Sequence, residues 1–391
     1  MTDGATPTCW PTRQHELLLQ AALLDGAAAL GAWQRWRAET DLDRLDVEAS
    51  RILPLVYRKL AALGVQDPAL GHLKGIYRQV WYKNHLLLSR VVEPLRALGE
   101  AGIEVMVLKG YALLVSYYRD FGARALADID VAVPVDRVWG AIAILERRGW
   151  APVLYNERRA ITPAYVETEP SVGFRHPAGW EFDLHWHVLP ESCRPGADDA
   201  FWARAQPIKL DGVAARALDA TDQLLHVLAH GIKWEGEPKL RWAADALVIL
   251  RATDRRIEWE RLQARTRELR LVQPVRDALR YLQQRLDAPI PADVVRALEA
   301  MPVTRTDRLE YGLRTAPHEL TLWNVLVRLW LWHRRLADST RTGRLLWTFP
   351  RFVQRYCELP SLGGLPRHVA ARGLARIRRA GLVWPRPRPR P

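Results

Sequence analysis

Cysteine is scarce: Cys9, Cys193 and Cys357 are the only three in 391 residues. An odd number so widely spaced supports neither a disulfide framework nor a paired-cysteine zinc site, and a reducing, cytoplasmic setting is expected. Long apolar runs are also missing. The most apolar window, "LTLWNVLVRLWLWHRR", extends from Leu320 to Trp332 before its basic pair and already contains Arg328, too short and too charged to span a bilayer. The start "MTDGATPTCWPTRQHE" has no basic region leading into an apolar segment, which argues against secretion. Nor does any repeat of fixed period emerge. His226 and His230 stand four apart, as in zinc proteases, yet Val227 occupies the place where that chemistry needs glutamate.

Lysine is rare, 7 against 50 arginines, a bias that reads as genome composition. The formal charge of +13 resembles a nucleic-acid footprint until it is located. Residues 351–391 hold ten arginines and one acid, Glu358, a net +9 that leaves +4 for the rest. A solvated helix followed by a proline-locked tail accounts for it, so neither nucleic acid nor membrane is the expected partner.

What is present is a change of period. Up to about Leu98, apolar residues recur at three- and four-residue spacing, predicting helices in "HELLLQAALLDGAAALGAW", "VEASRILPLVYRKLAAL" and "LKGIYRQVWYKNHLLLSRVVEPLRAL". Then "IEVMVL" reads as a strand ended by Lys109-Gly110, "YALLVSYY" as a helix, "DIDVAVP" as a strand, and "SVGFRHPAGWEFDLHWHVLP" as a hairpin turning at Pro177 to Gly179. Beyond Ala217 the pattern is helical again. The expected plan is α+β: a helical region (1–98), a small mixed sheet with helices (99–215), a helical domain (216–380) and an Arg/Pro tail (381–391). Seventeen tryptophans, most at helical spacing as in "WNVLVRLWLW", read as core packing.

Residues two apart in a strand share a face. Asp128 and Asp130 therefore point one way while Ile129 and Val131 point into the core. In "EFDLHWHV" the same alternation sets Glu181, Asp183, His185 and His187 opposite Phe182, Leu184, Trp186 and Val188. Asp128, Asp130 and Asp183 on one polar face would repel one another unless a cation neutralised them. Carboxylate oxygens suit magnesium, and two such ions can activate attack on phosphorus. Gly110, after a strand and before a helix, lets backbone approach a phosphate, with Lys109 and Arg124 as cations beside it. Glu181 and His187 read as solvated polar residues, His185 as either surface or support of the site, and Arg241 with Asp245 as an ion pair within one helix.

"VLKGYALLVSYY…GARALADIDVAV" followed by "EFDLHWHV" resembles the nucleotidyltransferase-fold superfamily that includes DNA polymerase beta and the antibiotic nucleotidyltransferases. More narrowly it is similar to the bacterial uncharacterised nucleotidyltransferase family, which pairs a strand–Lys-Gly–helix element with an Arg-x-x-x-Asp-x-Asp strand and a later Asp-Leu-His strand. His226, His230, Arg241, Trp242 and Asp245 resemble that family's helical half. The resemblance implies Asp128, Asp130 and Asp183 as catalytic metal ligands, for one or two magnesium ions, and Lys109 with Gly110 at the nucleotide phosphates. It implies transfer of a nucleoside monophosphate, AMP by preference, from a nucleoside triphosphate to an acceptor that the sequence does not identify: small molecule, peptide or protein. Two alternatives stand beside it, a non-catalytic binding protein of the same fold and a zinc hydrolase built on Asp183, His185 and His187.

Overall fold

The computed structural model describes residues 9–154, 160–233, 237–316, 321–337 and 342–364. The expected tail at 381–391, and the helical stretch expected after residue 364, lie outside the described residues. The chain divides into two compact units, one holding residues 1–160 and 169–317, the other 161–168 and 318–391.

The first unit begins with α1 (Arg13–Leu23), α2 (Gly26–Glu39), α3 (Val47–Ala62) and the 31-residue α4 (Leu70–Glu100). Caps fix the starts of two of them. The Thr12 hydroxyl accepts the His15 N–H at 3.3 Å, and Asp46 accepts the Ala49 N–H at 2.7 Å while also bonding the His15 ring at 2.8 Å. The earlier Leu-Lys-Gly copy, Leu73 to Gly75, lies within the first turns of α4 with no strand before it.

The chain then enters the sheet through β1 (Met106–Leu108), α5 (Lys109–Leu113), β2 (Asp130–Ala132), α6 (Val138–Arg147), β3 (Ala151–Val153), α7 (Pro163–Thr168, in the second unit), β4 (Ser171–Arg175), β5 (Glu181–His185), α8 (Asp199–Arg204), β6 (Gln206–Leu210) and β7 (Val213–Ala217). The seven strands lie in the order β3-β4-β5-β2-β1-β7-β6. β1 runs antiparallel to β2, and β2 runs parallel to β5, so this is the mixed sheet of an α+β fold. The β4–β5 hairpin turns where the sequence predicts, with Gly179 at φ +84°.

Three local departures have physical causes. "YALLVSYY" is not one regular helix: α5 gives way to a wider π turn over Leu114–Tyr118, closed by the Arg119 N–H on the Leu114 carbonyl at 2.8 Å. β2 begins only at Asp130, so Asp128 stands ahead of the strand. β5 ends at His185 because the next two amides, of Trp186 and His187, both donate to the Pro170 carbonyl, which breaks the two-residue alternation.

Helices α9 (Ala220–Gly231), α10 (Arg241–Leu250), α11 (Trp259–Glu268), α12 (Val272–Leu286), α13 (Ala292–Ala300) and α14 (Arg305–Thr315) complete this unit. α9 and α10 approach so closely that a Cβ on Gly231 would lie 2.1 Å from the Trp242 Cβ. Within this unit one hydrophobic core joins residues of α1 and α3, the central strands β1 and β2, and α9 through α13.

The second unit consists, among the described residues, of α7, α15 (Leu322–Leu336) and α16 (Thr342–Tyr356). Leu331, Leu345 and Phe352 are buried, and the His333 ring bonds the Thr348 hydroxyl at 2.9 Å. The expected burial of tryptophans does not hold throughout: Trp323 and Trp347 are 73% and 81% exposed. Among the described residues no helix is long and apolar enough to cross a membrane.

Candidate functional site

The pairing register brings the acidic strands together. Asp130 lies opposite Leu108 on one side and opposite Asp183 on the other, while His185 lies opposite Ala132. Ligand atoms of Asp130, Asp183 and His185 all lie within 4.8 Å of one another. Gly173 makes room for this cluster, since a Cβ there would stand 3.2 Å from the Asp183 carboxylate. Ile129 and Val131 are fully buried on the opposite face, as strand alternation requires.

The three carboxylates differ in electrostatic condition. Burial acts to raise Asp130, which is 3% exposed, but the Lys109 ammonium and the His185 ring at 3.1 Å hold its carboxyl far below the ordinary range. Asp128 is pushed up to about 6 by burial and by the charges of Asp130 and Asp183. Asp183 is also raised, by burial and then by Asp130.

Lys109 occupies an unusual position. Its backbone is left-handed, φ +47°, at the junction of β1 and α5, and its ammonium forms an ion pair with Asp130. Although burial opposes the charge, Asp130 raises its pKa, and Asp183 and Asp128 add to the effect. Gly110 follows, and its lack of a side chain is required: a Cβ would lie 2.4 Å from Arg124 Nη1 and 2.5 Å from Leu126 Cδ2.

These residues open onto a cleft of about 300 Å³ whose walls include Lys109, Gly110, Asp128, Asp130, Arg124 and His226. Asp183 is in the carboxylate cluster but not in the cleft wall. Arg124 is directed at Asp245: Nε and Nη2 donate to the two carboxylate oxygens at 2.7 and 2.8 Å, and the Tyr118 hydroxyl adds a bond of 2.8 Å. The expected Arg241–Asp245 pair within α10 is therefore not formed. Arg124 presents a planar two-pronged donor that Asp245 accepts in full, and Arg241 instead donates to the Ala125 carbonyl at 3.1 Å.

His185, left open by sequence, is 6% exposed and belongs to the cluster. His187 does not: its ring bonds Asp198 at 2.6 Å, a consequence of β5 ending at His185. That removes the His-x-His half of a zinc hydrolase. Glu181 is exposed and pairs with Arg175. His226, buried, and His230, half-buried, stack at 5.9 Å along the cleft, and desolvation with the nearby Lys109 charge drives both pKa values down, that of His226 to about 3. Sequence reasoning missed Glu48, Arg51 and Lys239, which also line the cleft; they come from α3 and the segment leading into α10, far in sequence from the acidic strands, and follow no local pattern.

A family model described as "Uncharacterised nucleotidyltransferase" matches residues 45–287. Among solved structures, the chain is similar to an antigenic nucleotidyltransferase-like protein from Paracoccidioides brasiliensis, with 15% identity and a TM-score of 0.33 over 56% of this chain and 94% of that one. No curated protein matches.

Proposed function

The chain belongs to the uncharacterised nucleotidyltransferase family, and from that membership we propose that it transfers a nucleoside monophosphate, AMP by preference, from a nucleoside triphosphate to an acceptor hydroxyl or similar nucleophile. A bond forms between the acceptor oxygen and the α-phosphorus, the bond from that phosphorus to the bridging oxygen breaks, and diphosphate leaves with the electron pair.

The observation that carries this reading is the convergence of Asp130, Asp183 and His185 within 4.8 Å, with Asp128 beside them at the cleft. The donor set fits a divalent cation. Asp128 and Asp183 are raised by burial and then by the charge of Asp130, and the buried His185 Nδ1 has no hydrogen-bond partner among the described residues. Carboxylates favour magnesium, and Asp128, Asp130 and Asp183 would hold it. When bound, magnesium supplies positive charge to the phosphates and to the departing diphosphate.

The chain's own groups do the rest. Gly110 lets the backbone approach a phosphate, with Lys109 and the Arg124 edge beside it. Asp183 would either bind a second metal ion or serve as the general base for the acceptor. We place the reaction in the cytoplasm, with a small molecule, peptide or protein as acceptor. The Lys109–Asp130 ion pair favours one second reading, a non-catalytic nucleotide-binding protein in which lysine takes the place of the cation.

The test is incubation with each labelled nucleoside triphosphate and magnesium, followed by mass analysis of the protein and of a cell extract for an added nucleotide. The Asp128→Asn, Asp130→Asn double variant should lose transfer while its circular dichroism is unchanged; full transfer by that variant would sink the mechanism.

A further inference from the structure

Part of the cleft wall is basic: Arg51 comes from α3, Lys239 precedes α10, and Arg241 opens α10. Glu48 lines the cleft with them, and its side chain is 0% exposed. It pairs with Arg51, stands 3.5 Å from the Lys239 ammonium, and accepts the Leu240 N–H at 3.2 Å. One buried carboxylate thus anchors α3 to the start of α10 and holds two cations at the cleft.

Arg241 has no such counter-ion. Its partner among the described residues is the Ala125 carbonyl, because Asp245, one turn further along α10, is occupied by Arg124 and Tyr118. Burial, followed by the positive charges of Arg124 and Arg51, depresses its pKa. Its guanidinium, half-buried in the cleft wall, feels the carboxylates of Glu48 and Asp245 but pairs with neither among the described residues, and its planar fork matches phosphate oxygens two at a time.

We propose that Arg241, flanked by Arg51 and Lys239, is the seat of the diphosphate end of the nucleotide, the part that leaves; this rests on the transfer reaction proposed above. The two walls then divide the work. The acidic cluster serves the α-phosphorus, where the new bond forms. The basic wall receives the charge that develops on the departing oxygen, so its contacts strengthen as the bond breaks. Glu48 acts as a positioning residue, fixing Arg51 and Lys239 without touching the nucleotide.

Titration calorimetry of the full chain with inorganic diphosphate, without metal, reads this directly. Arg241→Gln and Arg51→Gln should each weaken binding at least about tenfold, the cost of one charge-assisted bond to phosphate. Arg241→Lys should recover part of the loss. Circular dichroism distinguishes a lost contact from a lost fold. Equal affinity in the wild type, Arg241→Gln and Arg51→Gln, or no binding by the wild type, would overturn the assignment. Diphosphate binding that depends on Arg241 in a protein that transfers no nucleotide would leave the seat standing and remove only the transfer reading.

Discussion

Arg124 and Asp245, 121 positions apart in sequence, meet through two parallel hydrogen bonds of 2.7 and 2.8 Å, both side chains at least nine-tenths buried. The pair ties the loop before β2 to α10, so it holds the acidic cluster against the helical wall. Removing one partner strands the other charge. Asp245→Ala should therefore cost about 3–5 kcal/mol in urea unfolding, whereas Tyr118→Phe, which removes only the third bond, should cost about 1 kcal/mol. A loss below that of Tyr118→Phe for Asp245→Ala would contradict the central role given to the pair.

Asp128 supplies a pH signature. Its folded pKa of about 6 exceeds the ordinary 3.8 because of burial and the charges of Asp130 and Asp183. Between those values the folded protein binds more protons than the unfolded chain. This contribution to stability is therefore fully present below about pH 4 and is lost as pH rises through about 6. In thermal melts with chelator, Asp128→Asn should match the wild type near pH 4 and exceed it by a growing margin up to about pH 7. Magnesium should close the gap by stabilising only the wild type. A margin that does not change with pH would show that repulsion at Asp128 is relieved by some other route.

How far the site could be read from sequence follows from the range of each contact. Asp130, Asp183 and His185 lie on strands whose alternation is local, so their shared face is visible in "DIDVAVP" and "EFDLH". His187 is where that logic stops, since the Pro170 carbonyl, well away in sequence, ends the strand pattern. The choice Asp245 makes between Arg241, four residues away, and Arg124, 121 away, depends on tertiary packing. A helix-spacing rule selects the nearer arginine, but the structure selects the one whose donor fork faces both oxygens. Glu48 and Lys239 meet only after α3 and α10 have packed, and no periodicity announces such a meeting.

In the proposed reaction, Lys109 and a divalent cation would compete for Asp130. The ammonium is paired with that carboxylate and responsible for much of its low pKa. Lys109→Met should tighten magnesium binding measured by calorimetry without nucleotide, by several-fold, because the cation no longer displaces an ammonium. The same variant should lower nucleotide transfer by at least about a hundredfold, the scale for removing a preorganised charge from a transferring phosphoryl group. If magnesium affinity falls instead, the lysine assists the metal site rather than guarding it.

Gly110 gives the sharpest steric test. A methyl group at that position would have to occupy space 2.4 Å from Arg124 Nη1 and 2.5 Å from Leu126 Cδ2. The Arg124 fork cannot swing away without giving up Asp245, so the clash cannot be relieved by a side-chain rotation alone. Gly110→Ala should cost about 1–3 kcal/mol, the range for overpacking a filled site. It should also displace the Lys109–Gly110 turn, so nucleotide affinity should fall further than diphosphate affinity, which is assigned above to Arg241, Arg51 and Lys239. The ratio of nucleotide to diphosphate affinity should therefore fall in Gly110→Ala. An unchanged ratio would place the nucleotide's phosphates away from the turn.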